Sequence, residues 1–173
     1  DLAIVGGGIT GAGLALEAAS RGLRVALLEA GDFAIGTSSR SSKLSHGGLR
    51  YLAMGDVATV RATALELKIL HRIAPHLTEP HWLVVPERSR AGLMKFRAGI
   101  TAYEKLGEVE AADRHRNWSG EALAEGEPIL DRSVHPHACV YRAYVTDAAR
   151  LALAHLRAPA GQRAAVASPA RVG

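Results

Sequence analysis

Three glycines and one carboxylate are the first residues in this chain whose types and spacing could do chemistry. Gly6, Gly8 and Gly11 follow the pattern G-x-G-x-x-G. In such a turn the first glycine permits a tight bend, the second lets a diphosphate approach the backbone, and the third lets a helix pack closely on a strand. Glu29 lies 18 residues after Gly11, where a carboxylate can accept hydrogen bonds from both hydroxyls of an adenosine ribose and would repel a 2′-phosphate. Together these residues predict a dinucleotide site.

The residues around the glycines supply the elements that this pattern needs. Residues 2–5 are apolar on both faces, as in a buried parallel strand, and residues 25–28 repeat that character. Between them an Ala/Leu-rich stretch predicts a helix over residues 9–21, with Gly22 just beyond its end. A strand, a turn, a helix and a strand therefore form one βαβ unit. The alternative is a glycine-rich turn in such a unit that binds nothing.

A polar segment follows, over residues 31–48, and it contains many serines, glycines and hydroxyl groups. Such a composition is usual for a solvated loop. Hydroxyls and unhindered backbone amides can also satisfy the phosphates and ring carbonyls of a cofactor. The residue types alone leave both interpretations open.

The rest of the chain predicts alternating helices and strands. Asp56 is placed to cap a helix that ends before Pro75, and Asp147 is placed to cap another. Apolar spacing predicts a helix over residues 93–106. We further expect strands at residues 82–85 and 139–145, loops over residues 108–136 with a short helix after Ser119, and a last helix to about residue 156.

Composition excludes several classes of protein. The 173 residues are 48% hydrophobic and 22% charged, which is typical of a globular domain. The net charge is only +4, the lysines are dispersed and aromatics make up 5%, so we expect no nucleic-acid partner. The single cysteine, Cys139, forms no internal disulfide. No run of apolar residues is long enough to span a membrane.

The eight histidines suggest a metal site, above all His135 and His137 beside Cys139. No second cysteine and no H-E-x-x-H motif accompanies them, so we predict no metal.

The chain starts at Asp1 without a methionine and ends at Gly173 without a helix stop or charged tail. We therefore expect a fragment of a longer protein.

One polar run carries a family resemblance. Residues 36–52, Gly-Thr-Ser-Ser-Arg-Ser-Ser-Lys-Leu-Ser-His-Gly-Gly-Leu-Arg-Tyr-Leu, resemble the signature of FAD-dependent, quinone-linked glycerol-3-phosphate dehydrogenases. Residues 73–77, 103–107 and 145–151 look like further landmarks of that family. The resemblance is loose over residues 108–136. Ser45 stands where the family usually has a larger apolar residue, and Thr146 where an acid is common.

The resemblance implies an α/β fold, namely a Rossmann-like FAD-binding domain of the glutathione-reductase or amino-acid-oxidase type, here truncated. It implies that Gly6, Gly8, Gly11 and Glu29 hold the ADP half of FAD. It further implies that the pyrophosphate and isoalloxazine side is lined by Thr37, Ser38, Ser39, Ser42, Lys43, Leu44, Gly47 and Gly48. It also implies three segments by role: residues 1–80 begin the FAD-binding domain, residues 81–137 face the substrate, and residues 138–173 return to the FAD-binding domain.

Arg50 and His46 are the two candidates for the reaction itself. Arg50 matches the family position that faces the substrate phosphate, and a guanidinium can bond two phosphate oxygens at once. A surface ion pair is the alternative. His46 could donate or accept a proton near the flavin, or it could pack and orient the turn at Gly47 and Gly48. We name it as a catalytic candidate only and assign no general base.

The resemblance implies oxidation of sn-glycerol 3-phosphate to dihydroxyacetone phosphate, with hydride transfer to FAD and electrons passing on to a quinone. It also implies a cytoplasmic enzyme in peripheral contact with the inner face of the cell membrane. The assembly that it implies is a homodimer. Two alternatives stay open. One is a related FAD-dependent amine or amino-acid oxidase, and the other is a dinucleotide-binding module without catalysis.

Overall fold

The structure is a computed structural model that describes residues 1–45, 48–52, 54–158 and 164–171, with only the backbone of residues 49 and 50. The chain divides into two compact units. Unit 1 comprises Asp1–Leu44 and Thr146–Gly173, and unit 2 comprises Ser45–Val145. These limits differ from the segments 1–80, 81–137 and 138–173. Because those segments divide the chain by role, they stay a prediction.

Helices and strands follow one another along the described residues. In chain order they are β1 (Leu2–Val5), α1 (Ile9–Ser20), β2 (Val25–Leu28), β3 (Leu44–Ser45), α2 (Leu49–Leu52), α3 (Val57–Ile73), β4 (Thr78–Glu87), α4 (Arg90–Leu106), a 3₁₀ turn (Ala111–Asp113), β5 (Arg116–Ser119), α5 (Gly120–Gly126), β6 (His137–Thr146), α6 (Ala148–Arg157) and β7 (Ala164–Ala167).

Unit 1 is built on a parallel sheet of order β1-β2-β7. Leu2 pairs with Val25, and Val25 pairs with Ala164, so the three strands run in one register. Helices α1 and α6 pack together and share a core with one face of this sheet. That core contains Ile4, Ala12, Ala15, Ala18, Ala19, Val25, Leu27, Ala34, Ala152 and Leu156. The α/β fold class is thereby confirmed.

Unit 2 contains the longer helices and an antiparallel pair of strands. Helices α3 and α4 pack on each other and on α2. A second sheet has the order β3-β6-β4, and β5 pairs antiparallel with β6. Strand β4 runs from Thr78 to Glu87 and includes Pro80 and Pro86, whereas the sequence predicts only residues 82–85. It lies at the end of the described strand order, where a missing N–H is tolerated.

Side-chain caps fix the starts of three helices. Asp56 accepts a hydrogen bond from Thr59 N at the start of α3, and Asp147 accepts one from Arg150 N at the start of α6. Both caps confirm the sequence prediction. Ser89 caps α4 by accepting a hydrogen bond from Gly92 N. Among the described residues, no helix is both long and apolar enough to cross a membrane.

Gly11 holds α1 close to the end of β1. A Cβ atom at position 11 would overlap the carbonyl oxygen of Gly6 and would lie 3.4 Å from Cγ2 of Ile4. Gly6 has a φ angle of +105°, a conformation that L side chains rarely adopt. The chain's own structure therefore requires both glycines, Gly6 for its backbone conformation and Gly11 for its close packing.

Replacing Gly11 by alanine should destabilise the complete protein by about 1–3 kcal/mol, because the added methyl group has no room beside a rigid backbone. The free energy of unfolding, measured by chemical denaturation, checks this expectation. Gly99→Ala is the matched control, since no described atom lies within 4 Å of a Cβ at Gly99 in α4. Equal stability of the Gly11 variant and the wild type would contradict the close packing.

Candidate cofactor site

The N-terminus of α1 presents backbone N–H groups beside the glycine turn. The N-cap residue is Gly8, which has no side chain to cap the helix. Ser38 supplies one acceptor instead, since its Oγ accepts a hydrogen bond from Ile9 N at 3.0 Å. Within the described part of the chain, the N–H groups of Gly8 and Thr10 donate no hydrogen bond. A helix start of this kind attracts an anion such as a diphosphate.

Gly7, the middle glycine of the turn, is held on three sides. Its N–H donates to Oε2 of Glu29 at 2.7 Å, and its carbonyl oxygen accepts from Ala34 N at 3.0 Å. The ring of Phe33 lies against it, because a Cβ at Gly7 would be 2.5 Å from Cδ1 of Phe33. The turn is therefore fixed by the loop that follows β2.

Gly8 differs from its neighbours, because nothing in its own backbone or packing demands glycine. Its φ and ψ angles are −78° and −176°, which any residue adopts. A Cβ there would have Ser38 Oγ at 3.4 Å, an ordinary contact. A side chain at position 8 would instead occupy the space in front of the first turn of α1. The residues present thus fit a diphosphate that approaches the backbone.

Glu29 follows β2 and faces the same turn. Its Oε1 accepts from Gly31 N at 2.8 Å, in addition to the bond between Oε2 and Gly7 N. The N–H groups of Gly31 and then Gly7 hold the pKa of Glu29 below its ordinary value of 4.5. The carboxylate is therefore ionised at neutral pH. Each oxygen keeps a further lone pair, so Glu29 can also accept hydrogen bonds from ribose hydroxyls.

The hydroxyl residues predicted to line the pyrophosphate lie on the loop after Glu29. Ser38 is buried, with 8% exposure, and contacts the helix start as described. Ser39 donates from Oγ to the carbonyl oxygen of Ala34 at 2.7 Å. Thr37 is exposed, and its carbonyl oxygen accepts from Arg40 N. Of the three, Ser38 hydrogen-bonds to the start of α1 beside the glycine turn, and the predicted cofactor roles of all three stay predictions.

The next predicted stretch, Ser42 to Leu44, lies near the start of α6. Lys43 has a φ angle of +60°, and its carbonyl oxygen accepts from Thr146 N at 2.7 Å. Its Nζ lies 3.7 Å from Oδ2 of Asp147. Ser42 Oγ accepts from Leu44 N at 3.4 Å. No hydrogen bond between described residues joins this stretch to the glycine turn.

The remaining predicted residues belong to unit 2 or lie outside the described residues. Gly48 is buried with a φ angle of +82°, and a Cβ there would lie 2.6 Å from Oγ1 of Thr63. Arg50 lies in α2, and the structure describes its backbone only. His46 and Gly47 lie outside the described residues. Their predicted roles therefore stay predictions.

Sequence reasoning missed the residues that hold the turn in place. Gly7 and Gly31 donate their N–H groups to Glu29, and Phe33 and Ala34 pack against the turn. Gly7 occupies a variable position of the motif, so the motif itself says nothing of it. The only available signal for Gly7 was its place in a run of three consecutive glycines, residues 6–8.

Replacing Glu29 by glutamine should weaken FAD binding by about 5- to 30-fold, because the charge is lost and the amide NH₂ cannot accept from a backbone N–H. The dissociation constant of FAD from the complete protein, measured by flavin fluorescence, checks this. Glu17→Gln is the control, since Glu17 lies exposed on α1 and pairs with Arg21. Unchanged affinity in the Glu29 variant would mean that the carboxylate does not contact the cofactor.

The residues that suggested a metal site do not come together in the described part of the chain. No group of three or more His, Cys, Asp or Glu side chains there could hold a metal ion. Cys139 is buried in β6, and burial raises the pKa of its thiol to about 11. The thiol is therefore protonated at neutral pH and is a poor nucleophile.

Comparisons with known proteins agree with this geometry. A family model described as FAD dependent oxidoreductase matches residues 1–172. The aerobic glycerol-3-phosphate dehydrogenase of Staphylococcus haemolyticus is 43% identical over 155 residues, which are 88% of this chain and 28% of that protein. The structure of the glycerol-3-phosphate dehydrogenase from Bacillus halodurans complexed with FAD has a TM-score of 0.71 and 32% identity, and covers 100% of this chain and 27% of its own.

A third comparison shows the fold alone. The L-alpha-glycerophosphate oxidase from Mycoplasma pneumoniae with FAD bound has a TM-score of 0.75 at 16% identity, covering 96% of this chain and 44% of its own.

The chain spans 28% of the length of the glycerol-3-phosphate dehydrogenase from Staphylococcus haemolyticus. The resemblance drawn from residues 36–52 and the FAD cofactor are confirmed. The family model matches nearly the whole chain, so the chain belongs to the FAD-dependent oxidoreductases.

Proposed function

We propose that the complete protein oxidises sn-glycerol 3-phosphate to dihydroxyacetone phosphate. The observation that carries this proposal is the 43% identity, over 88% of the chain, to an aerobic glycerol-3-phosphate dehydrogenase. The 32% identical structure from Bacillus halodurans supports the same substrate. The glycine turn and Glu29 support the cofactor and do not distinguish among substrates.

The residues of unit 1 hold FAD. The start of α1 binds the diphosphate through its N–H groups, Ser38 adds a hydroxyl beside them, and Glu29 binds the adenosine ribose. When bound, FAD supplies a two-electron acceptor for the hydrogen on C2 of the substrate, while the hydroxyl proton leaves to a base. The pyrophosphate and isoalloxazine side of FAD is lined by Thr37, Ser39, Ser42, Lys43, Leu44, Gly47 and Gly48.

Arg50 binds the substrate phosphate in this proposal. Its support is its place in the run His46-Gly47-Gly48-Leu49-Arg50-Tyr51 and the match of a planar guanidinium to two phosphate oxygens. The backbone of Arg50 is helical. His46 acts beside the flavin or orients the turn at Gly47 and Gly48, and the exchange of His46 for glutamine separates a proton-transfer role from a packing role.

A quinone is the proposed electron acceptor, since the resemblance of residues 36–52 is to quinone-linked enzymes. A quinone dissolved in lipid requires a protein at the membrane surface. We therefore propose a cytoplasmic protein in peripheral contact with the inner face of the cell membrane, and a homodimer as its assembly. Cell fractionation and analytical ultracentrifugation test these two statements.

Product analysis tests the proposed reaction. The complete protein, given glycerol 3-phosphate and a soluble quinone analogue, should form dihydroxyacetone phosphate and reduced quinone in equal amounts. Glycine, proline and other amino acids serve as controls and should give no turnover. Turnover of an amino acid in place of glycerol 3-phosphate would assign the chain to an amino-acid oxidase instead.

A further inference from the structure

Helix α4 presents one long face to solvent. Its inner side packs on α2, α3 and β4 and buries Ile100, Tyr103 and Glu104. On a helix, residues three, four and seven apart share a face, and every residue of the side opposite these three is exposed. We call that side the outer face of α4, and its residues are Arg90, Ala91, Met94, Arg97, Ala98, Thr101, Ala102 and Lys105.

The charges on the outer face are all positive. Arg90, Arg97 and Lys105 lie on it, and the exposed Lys95 lies at its border. The single acid in the sequence of α4 is Glu104, which lies on the inner side and is 7% exposed. Helix α4 therefore holds three of the chain's four net positive charges in 17 of its 173 residues.

Exposed helix faces usually combine both signs of charge, because neighbouring acids and bases attract. Helix α1 shows this ordinary arrangement, since Arg21 pairs with Glu17 four residues before it. In the part of the chain that the structure describes, none of the four cations of α4 forms an ion pair. Cations of one sign along a face repel one another, and an anionic partner would relieve that repulsion.

The length of the outer face decides the size of this partner. Arg90 and Lys105 are 15 residues apart, which is about 22 Å along a helix. One phosphate group cannot reach both, so the face is longer than the substrate that residues 81–137 are predicted to face. Packing of the face into a protein interior would remove water from its cations at a high cost. The spacing therefore favours an extended anionic surface.

Met94 favours a lipid surface over a nucleic acid. It is 58% exposed near the middle of the outer face, and alanines lie on the same face at positions 91 and 98. An apolar side chain among cations can enter the boundary between lipid headgroups and acyl chains. No aromatic residue lies on this face, so it lacks the rings on which bases stack.

We propose that the outer face of α4 binds the anionic headgroups of a membrane surface, with Arg90, Arg97 and Lys105 as the contacts and Met94 inserted between the lipids. This rests on the peripheral membrane contact proposed above and identifies the surface that makes it.

Sedimentation with lipid vesicles tests this surface. The complete, FAD-loaded protein should bind vesicles of equal parts phosphatidylglycerol and phosphatidylcholine, and should bind phosphatidylcholine vesicles far more weakly. The triple variant Arg90→Gln/Arg97→Gln/Lys105→Gln should lower the partition coefficient for the anionic vesicles by about 100-fold, because each cation near a charged membrane contributes about fivefold. Added salt should weaken the wild-type binding by screening these charges.

The matched control is Arg21→Gln/Arg24→Gln/Arg157→Gln, which changes the net charge equally. All three arginines are exposed and belong to unit 1, so this variant should bind anionic vesicles nearly as the wild type does. Retained FAD and an unchanged melting temperature establish that each variant is folded. If the triple variant of α4 fails that check, Arg97→Gln alone decides, with an expected loss of about fivefold.

Four outcomes would overturn the proposal: equal binding of anionic vesicles by the α4 variant and the wild type, equal wild-type binding of the two kinds of vesicle, an equal loss of binding in the control variant, or tighter binding of a DNA duplex than of the vesicles. Flavin reduction by glycerol 3-phosphate, measured without vesicles, tests the proposed reaction separately. A protein that binds as expected and is not reduced would contradict the reaction and support the membrane surface.

Discussion

Exchange of Arg50 for alanine should leave FAD bound and lower kcat/KM for glycerol 3-phosphate by roughly 30- to 1000-fold, which corresponds to about 2–4 kcal/mol for a lost charged and bidentate contact. Most of the loss should appear as a raised KM. Lysine at position 50 should restore only part of it, because an ammonium group supplies the charge without the planar fork. Steady-state kinetics with a soluble quinone analogue measure all three proteins.

Glycerol and a second arginine serve as controls for this expectation. Glycerol lacks the phosphate, so its poor rate should barely change in the Arg50→Ala variant. Arg61→Ala is the matched surface change, since Arg61 is exposed on α3, and its kinetics should equal those of the wild type. If glycerol and glycerol 3-phosphate lose activity equally, Arg50 supports the flavin or the fold and does not bind the substrate.

Substitution of Gly8 should remove FAD from a folded protein. Gly8→Ala should raise the dissociation constant of FAD by about 5- to 150-fold, because overpacking against a bound group costs about 1–3 kcal/mol. Gly8→Val should abolish FAD retention through purification. The chain itself tolerates the methyl group, which would contact only Ser38 Oγ at 3.4 Å. The loss should therefore arise on the side of the ligand.

Gly11→Ala and Gly99→Ala serve as comparison variants for the result at Gly8. The first should lower stability. The second should raise it by about 0.5–1 kcal/mol, because alanine favours a helix interior over glycine, and it should leave the FAD content unchanged. The flavin-to-protein absorbance ratio and the melting temperature of the flavin-free protein separate the two effects. A Gly8→Val protein with normal FAD content would refute the placement of the diphosphate at the start of α1.

Local patterns were sufficient to predict much of unit 1. The strand over residues 2–5, the glycine turn and the strand over residues 25–28 are confirmed, because each depends on an apolar run or a cap within a few residues. Strand β7 was not predicted. Its residues, Ala164–Ala167, have low intrinsic strand preference, and their conformation depends on pairing with β2, which lies far away in the sequence.

In the candidate site, too, the sequence could predict what depends on local spacing and could not predict contacts between residues far apart in the chain. The motif named Gly6, Gly8, Gly11 and Glu29, because spacing alone carries that pattern. It could not name the hydrogen bonds from Gly7 and Gly31 to Glu29, since those depend on how the loop after β2 folds back over the turn. Nor could residue types show that Ser38 is the hydroxyl residue that reaches the start of α1.

An anaerobic absorbance spectrum of the complete protein tests the central claim most directly. The purified protein should be yellow, with one FAD per chain, and addition of glycerol 3-phosphate without oxygen or quinone should bleach the flavin band in proportion to the dihydroxyacetone phosphate formed. Glycerol at the same concentration should leave the band unchanged. A colourless protein that binds NAD, or a yellow protein that glycerol 3-phosphate does not bleach, would contradict the account.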